Sequence, residues 1–294
     1  MKILILIAGM LFGCICHVSA EAAEYGVALV SAPVLNTPDF RAVFGGGSGK
    51  ELKTDRCGQV RELEYIALPG TVFRLLGKQR SGTGDIYQVE TDEYAVSANV
   101  RLYVDGRFLQ LGLPALVSRR LLLPPREAVV AKLRASGGRP YVWGGNVPDG
   151  VPELESWFYR GIGDSDKKRL TLAGLDCSGL LYHATGGWTP RNTSQLINFG
   201  QGVAIAGKSA AEIAALLQPL DMIVWNGHVV IVLDRKTAIE SRLQCGGPGN
   251  GGVVMTQLSE RVAGIMRTRH PANVWQGGEK KQDVFVVRRW YGSH

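Results

Sequence analysis

Two apolar runs meet at an Asn-Gly pair. "DMIVW" ends at Trp225, "HVVIVL" begins at His228, and Asn226-Gly227 lies between them. Asn and Gly reach positive φ at low cost, so this two-residue loop predicts a tight hairpin whose turn fixes the strand register. "TAIES" at 237–241 predicts a third strand, and "DVFVVRRW" near the C-terminus a fourth. Helical segments precede them. Pro124-Pro125 opens one that runs to Gly137-Gly138. Asp176 or Cys177 opens a second, stopped at Gly186-Gly187, and Ser209 with Glu212 makes a capping box for a third, stopped by Pro219. Helices followed by an antiparallel sheet is an α+β order.

Residues 24–112 read differently. Short apolar runs broken by Pro, a Pro-Gly turn in "ALPGTVFRLL" and an alternating stretch that turns at Asp105-Gly106 predict a small all-β barrel. Within it "FGGGSGKELKTDRCGQ" reads as a flexible loop. Its Gly49-Lys50 fails as a phosphate loop, because Phe44 stands where the first Gly belongs and Glu51 follows the Lys. Residues 113–123 read as an apolar linker. Residues 146–174 read as a long polar loop with one helical turn at Glu153 to Tyr159. The expected domains are therefore 21–112 and 124–294, joined by 113–123.

Lys2, the apolar run Ile3 to Phe12 and the small residues Val18-Ser19-Ala20 predict a secretory signal over 1–20, cut before Glu21. A lipid anchor at Cys14 is the second reading, disfavoured by the bulky Phe12. Export to the periplasm or cell surface of a bacterium is the expected destination. The formal net charge of +7 suits an anionic polymer such as a cell wall. No long Lys/Arg run or recognition motif points to nucleic acid, and no later stretch predicts an integral membrane segment. Of five cysteines, Cys57, Cys177 and Cys245 lie beyond the signal. An odd number outside the cell implies a free thiol. Cys57 and Cys245 pair with each other or both stay free.

Cys177 heads a helix, where free backbone N–H groups favour a thiolate and can hold an oxyanion. A buried, inert thiol is the alternative. A nucleophile needs a base, and His228 begins a strand directly after the hairpin turn, at the sheet's end. Glu240, an acid among the apolar and small residues of "TAIES", returns on the next strand and is placed to orient that imidazole. The order Cys, His, orienting group is that of papain-like enzymes with rearranged chain order.

The chain resembles the NlpC/p60 family of bacterial cell-wall cysteine peptidases through "YVWGG" at 141–145, "LDCSGLL" at 175–181, "PRNTSQ" at 190–195, "LQPLDMIVW" at 217–225, "GHVVIVL" at 227–233 and "AIES" at 238–241. The all-β part resembles the bacterial SH3-like modules that precede such domains. The resemblance implies a papain-like α+β fold and hydrolysis of the γ-D-glutamyl–diamino acid bond of peptidoglycan stem peptides. It implies Cys177 as nucleophile and His228 as base, with Glu240 where the family has His, Asn or Gln. Tyr141 and Trp143 would line the site, Asp176 and Ser178 would hold the ligand, and Asn192 and Thr193 would sit on the substrate loop. In the branch that requires a free L-Ala amine, Asp176 and an acid from the SH3-like module bind the ammonium. Glu64 is the candidate for that acid and Tyr94 for a wall residue, with Glu62, Glu90 and Glu93 as rivals. Leu220 replaces the family's Gly in "LQPLDMIVW". No cofactor or metal is needed, and a monomer is expected. The rival functions are an endopeptidase or amidase acting on intact wall, and an inactive wall-binding protein.

Overall fold

The computed structural model describes residues 24–292, apart from 83, 113–118, 120, 248–249 and 278–282. The signal segment with Cys14 and most of the 113–123 linker lie outside the described residues. Among the described residues no helix is long and apolar enough to cross a membrane.

The first half is a seven-stranded antiparallel sheet. Its spatial order is Leu63–Ala67, Ala32–Leu35, Leu102–Asp105, Gly84–Glu90, Val72–Ser81, Tyr25–Ala28 and Leu109–Leu111. The strands are short and rich in Val, Ile, Leu and Tyr, and Val34, Leu63, Tyr65, Phe73, Ile86 and Val104 meet in one core. The glycine loop is braced within this half. Phe40–Val43 forms a helical turn capped by the Asp39 side chain, and Phe44–Gly45 pairs with Glu51–Leu52.

The stretch expected to be a polar loop closes this first core. Two helices, Glu153–Phe158 and Asp164–Leu170, interrupt it. Leu154, Phe158, Leu170 and Leu172 are buried with the N-terminal residues. Phe158 sits 5.5 Å from Phe44 and 6.4 Å from Phe40, ring centre to ring centre, and Trp157 sets its edge on Phe108 at 4.6 Å. Val151, Leu154 and Phe158 recur at i, i+3 and i+7, an apolar face diluted by surrounding Pro, Gly and charge.

The second half is built on another mainly antiparallel sheet, ordered Gln201–Val203, Val284–Arg289, Met222–Trp225, His228–Val232, Thr237–Leu243 and Gly251–Gln257, with His270–Pro271 added parallel to Val284–Arg289. Both faces are covered. Val224, Val229 and Ile231 pack with Val129 and Leu133 of the Arg126–Ala135 helix and Leu180 and Leu181 of the Cys177–Ala184 helix. Ile223, Val230 and Val232 pack with Ile213 of the Ala210–Leu216 helix and with Leu258, Val262 and Ile265 of the Leu258–Met266 helix. The strand Gly251–Gln257 and the helix after it were not anticipated, because the glycines around Asn250 obscure where regular structure resumes. Leu220, in place of a glycine, adopts φ 71° and is buried, and its N–H still reaches the Val232 carbonyl at 2.8 Å. A branched side chain at positive φ is held there by the packing around it.

Several polar ties join the halves. Cys57 and Cys245, 188 residues apart, form a disulfide, and Cys177 is left as the free thiol among the described cysteines. Arg119, from the expected linker, pairs with Glu93 at 2.6 Å and donates to the Gly186 carbonyl at 2.8 Å. Asn146 is fully buried. It accepts from Ile66 N–H at 3.1 Å and donates to the Ile66 carbonyl at 2.8 Å, mimicking a strand partner.

Candidate active site

Asp176 caps the Cys177–Ala184 helix, its Oδ1 accepting from the Gly179 N–H at 2.6 Å. The cap places Cys177 in the first turn, where backbone N–H groups have no intrahelical acceptor. The helix can seat so deeply because residue 179 is glycine: a Cβ there would collide with the Gly145 carbonyl oxygen. Cys177 is 7% exposed, with Sγ 3.8 Å from the Gly227 carbonyl in the hairpin turn.

The hairpin register pairs Trp225 with His228 and places the imidazole at the sheet's end. His228 Nε2 lies 2.7 Å from Glu240 Oε2. With Nε2 donating to that carboxylate, Nδ1 is left for Cys177. Burial by itself pulls the His228 pKa down, but hydrogen bonds with Cys177 and Glu240 outweigh it and raise the pKa to about 9. Glu240 is fully buried. Burial raises its pKa, yet the hydrogen bonds from His228 and Arg261 bring it down to about 2. Arg261 comes from the helix missed in the sequence. Its Nη2 donates to Oε2 at 2.7 Å, and its Nε lies 2.6 Å from Oε1 as an ion pair without hydrogen-bond alignment. The structure thus gathers Cys177, His228 and Glu240 at one point.

Asp176 and Ser178, expected to hold a ligand, face inward. Arg191 grips Asp176 through Nη1 to Oδ1 at 3.0 Å and Nη2 to Oδ2 at 2.7 Å, and donates to Ser178 Oγ at 2.9 Å. Its Nε reaches Asn146 Oδ1 at 3.1 Å. The guanidinium is required because a capping carboxylate this deeply buried needs a counter-charge. Arg191 stands in the quoted "PRNTSQ", yet the sequence reading gave it no role; an arginine next to a proline looks like surface.

Tyr141 is 8% exposed and lies within electrostatic reach of Asp176 and Cys177; burial, more than those charges, raises its phenol pKa above the usual range. Trp143 is 40% exposed, with the Arg61 guanidinium 4.4 Å above its ring centre. The two halves share in holding this wall: Tyr141 N–H donates to the Gly251 carbonyl at 3.3 Å, and Trp143 N–H donates to Gln59 Oε1 at 2.8 Å.

Tyr94 stacks on Tyr65 with ring centres 4.3 Å apart and donates to Glu64 Oε2 at 3.0 Å. Asn36 donates to the other Glu64 oxygen at 2.9 Å. The rival acids are paired with cations: Glu62 with Lys53, Glu90 with Arg74 and Glu93 with Arg119. Among these four, Glu64 is held by neutral donors alone. Asn192 donates to the Ala95 carbonyl at 2.8 Å, tying its loop to the first half. Thr193 opens the short helix Thr193–Leu196, and its carbonyl accepts from the Ile197 N–H at 3.0 Å.

No family model matches the chain, and no curated protein does. Among solved structures it is similar to an NlpC/P60 family protein from Bacillus cereus ATCC 10987, at 14% identity and a TM-score of 0.34, over 91% of this chain and 63% of that one. It is also similar to RipD from Mycobacterium tuberculosis, described as a non-catalytic NlpC/p60 domain protein adapted to peptidoglycan binding, at 21% identity and a TM-score of 0.28, over 45% of this chain and 92% of that one. A third is the P60 domain of antigen MAP1272c from M. avium paratuberculosis, at 18% identity and a TM-score of 0.27, over 45% of this chain and 83% of that one.

Proposed function

We propose that this chain is an exported cysteine peptidase. Its substrate is the γ-D-glutamyl–diamino acid bond of peptidoglycan stem peptides carrying a free N-terminal L-Ala. The observation that carries the reading is the Cys177–His228–Glu240 arrangement: a thiol at a helix start, an imidazole raised to about 9, and a buried carboxylate on its far nitrogen. An imidazolium that persists at neutral pH is the partner a thiolate nucleophile requires. The motif resemblance supplies the substrate class. It also supplies the reading of the first sheet as an SH3-like module and of the second half as papain-like.

In the proposed reaction the Cys177 thiolate attacks the γ-glutamyl carbonyl carbon. First-turn backbone N–H groups stabilise the oxyanion. His228 gives its proton to the leaving amine as the C–N bond breaks, then takes a proton from water as the thioester is hydrolysed. Glu64 is the acid for the substrate ammonium, because its charge is not already neutralised by a cation. Asp176 supports the site from behind, through Arg191.

The test is mass spectrometry of digests by the chain from Glu21 onward, with Cys177→Ala as control. One substrate is L-Ala-γ-D-Glu-meso-diaminopimelate; the other carries a muramyl group on its amine. Cleavage of the free peptide alone supports the reading. Cleavage of both keeps the catalytic assignment and removes the amine requirement. Cleavage of neither favours a wall-binding protein.

A further inference from the structure

The helix Leu258–Met266 buries Leu258, Val262 and Ile265. Arg261 falls on the same i, i+3, i+4, i+7 stripe, so a cation occupies a core-facing position. Among the described residues its only carboxylate partner is Glu240, and its guanidinium carbon also lies 5.9 Å from the centre of the Trp225 ring, which stands 4.9 Å from the His228 ring. Tryptophan, histidine and glutamate therefore form one block with Arg261 behind it.

A lone carboxylate at full burial against an imidazolium holds the ring's proton tightly. That suits the first step, in which the thiolate needs a cation beside it. It hinders the next, in which the ring must give that proton up to the leaving amine. A guanidinium on the same carboxylate divides that negative charge between two cations. Glu240 Oε2 accepts from both His228 and Arg261, each at 2.7 Å. The other groups facing the pair are Cys177 on the ring's open side, Arg242 with Nη1 3.9 Å from Oε1, and Arg269 with its guanidinium 5.0 Å from the Trp225 ring centre.

We propose that Arg261 is a positioning residue that joins Glu240 in a near-neutral pair, so that the third site of the Cys177–His228 couple presents an oriented acceptor rather than a full buried charge. The inference rests on the catalytic reading above. It assigns Arg261 no contact with substrate.

The experiment compares wild type, Arg261→Met, Arg261→Lys, Glu240→Gln and the double variant Glu240→Gln/Arg261→Met. Two readouts are taken: NMR titration of the His228 ring in 15N-histidine-labelled protein, and kcat/KM on the free stem peptide. Circular dichroism melts identify any variant that does not fold. Arg261→Met is expected to raise the His228 midpoint by about one pH unit, because an opposing cation is lost. It is expected to lower kcat/KM roughly tenfold or more, and Arg261→Lys is expected to retain the wild-type midpoint. The double variant, neutral at both positions with the glutamine still able to accept from Nε2, is expected to recover most of the loss. A midpoint that is unmoved or lowered in Arg261→Met overturns the proposal. So does a double variant no better than Arg261→Met alone. Should Arg261→Met not fold, the comparison of Arg261→Lys with wild type and of the double variant with Glu240→Gln carries the test. The titration needs no substrate, so a wild type that cuts no stem peptide counts against the proposed function and leaves the Arg261 measurement intact.

Discussion

Arg191 and Asp176, fifteen residues apart, form a two-point ion pair in which the arginine is 1% exposed. Removing one partner of such a pair leaves an uncompensated buried charge. Arg191→Met is expected to cost roughly 3–5 kcal/mol in denaturant unfolding. It is also expected to slow alkylation of Cys177 by iodoacetamide, since the helix cap that seats the cysteine loses its brace.

His228 and Glu240 shape the pH profile in opposite senses. A histidine raised to about 9 stabilises the fold fully below its unfolded value of 6.5, and that stabilisation is lost as pH climbs through 9. A glutamate lowered to about 2 stabilises fully above 4.5, and that is lost as pH falls through 2. Both contributions are complete between pH 4.5 and 6.5. The melting temperature is expected to plateau there, and Glu240→Gln should flatten both edges. The alkaline limb of kcat/KM should fall near pH 9, as the imidazolium is lost.

Gly179→Ala is expected to be severe for a single methyl group. The Gly145 carbonyl it would strike is already fixed by the Asp176 N–H at 2.9 Å and by Arg191 Nη2 at 3.3 Å, so the oxygen has little room to retreat. Overpacking of this kind costs about 1–3 kcal/mol. The checks are a lower melting temperature and a fall in kcat with Cys177 still present.

The Cys57–Cys245 disulfide brings together the two loops that hold the aromatic wall, one through Gln59 to Trp143 and the other through Gly251 to Tyr141. Cys57→Ser/Cys245→Ser is expected to lower unfolding free energy by about 2–5 kcal/mol. If the wall binds substrate as the motif resemblance implies, its effect on hydrolysis should fall mainly on KM, because the Cys177–His228 couple is untouched. Parallel denaturation and steady-state kinetics test both parts.

The hairpin at Asn226-Gly227, the capping box at Ser209 and the helix at Cys177 were legible because each is a local signal: a turn pair, a cap spacing, an apolar run. So was the nearness of His228 to Glu240, which follows from strand order. Arg191, Arg261 and Gln59 were not legible as site residues. Each acts through a partner distant in sequence, and a polar side chain on a loop or helix reads as surface until that partner is known. The role of 146–174 was hidden differently. Its apolar residues belong to a core whose other members lie over forty residues upstream, so neither segment looks incomplete by itself.

That arrangement sets a timetable for the chain's birth. Domains commonly fold from the N-terminus as they emerge. Here the first sheet's core lacks Leu154, Phe158 and Leu170 until the helices that carry them arrive. The first half must wait, with Phe40 and Phe44 uncovered, for a segment that follows the start of the second half. The covalent link between the halves comes later still, once Cys245 arrives. Cutting the gene at the linker would therefore yield two fragments that each expose apolar surface, and co-expression should rescue what separate expression cannot.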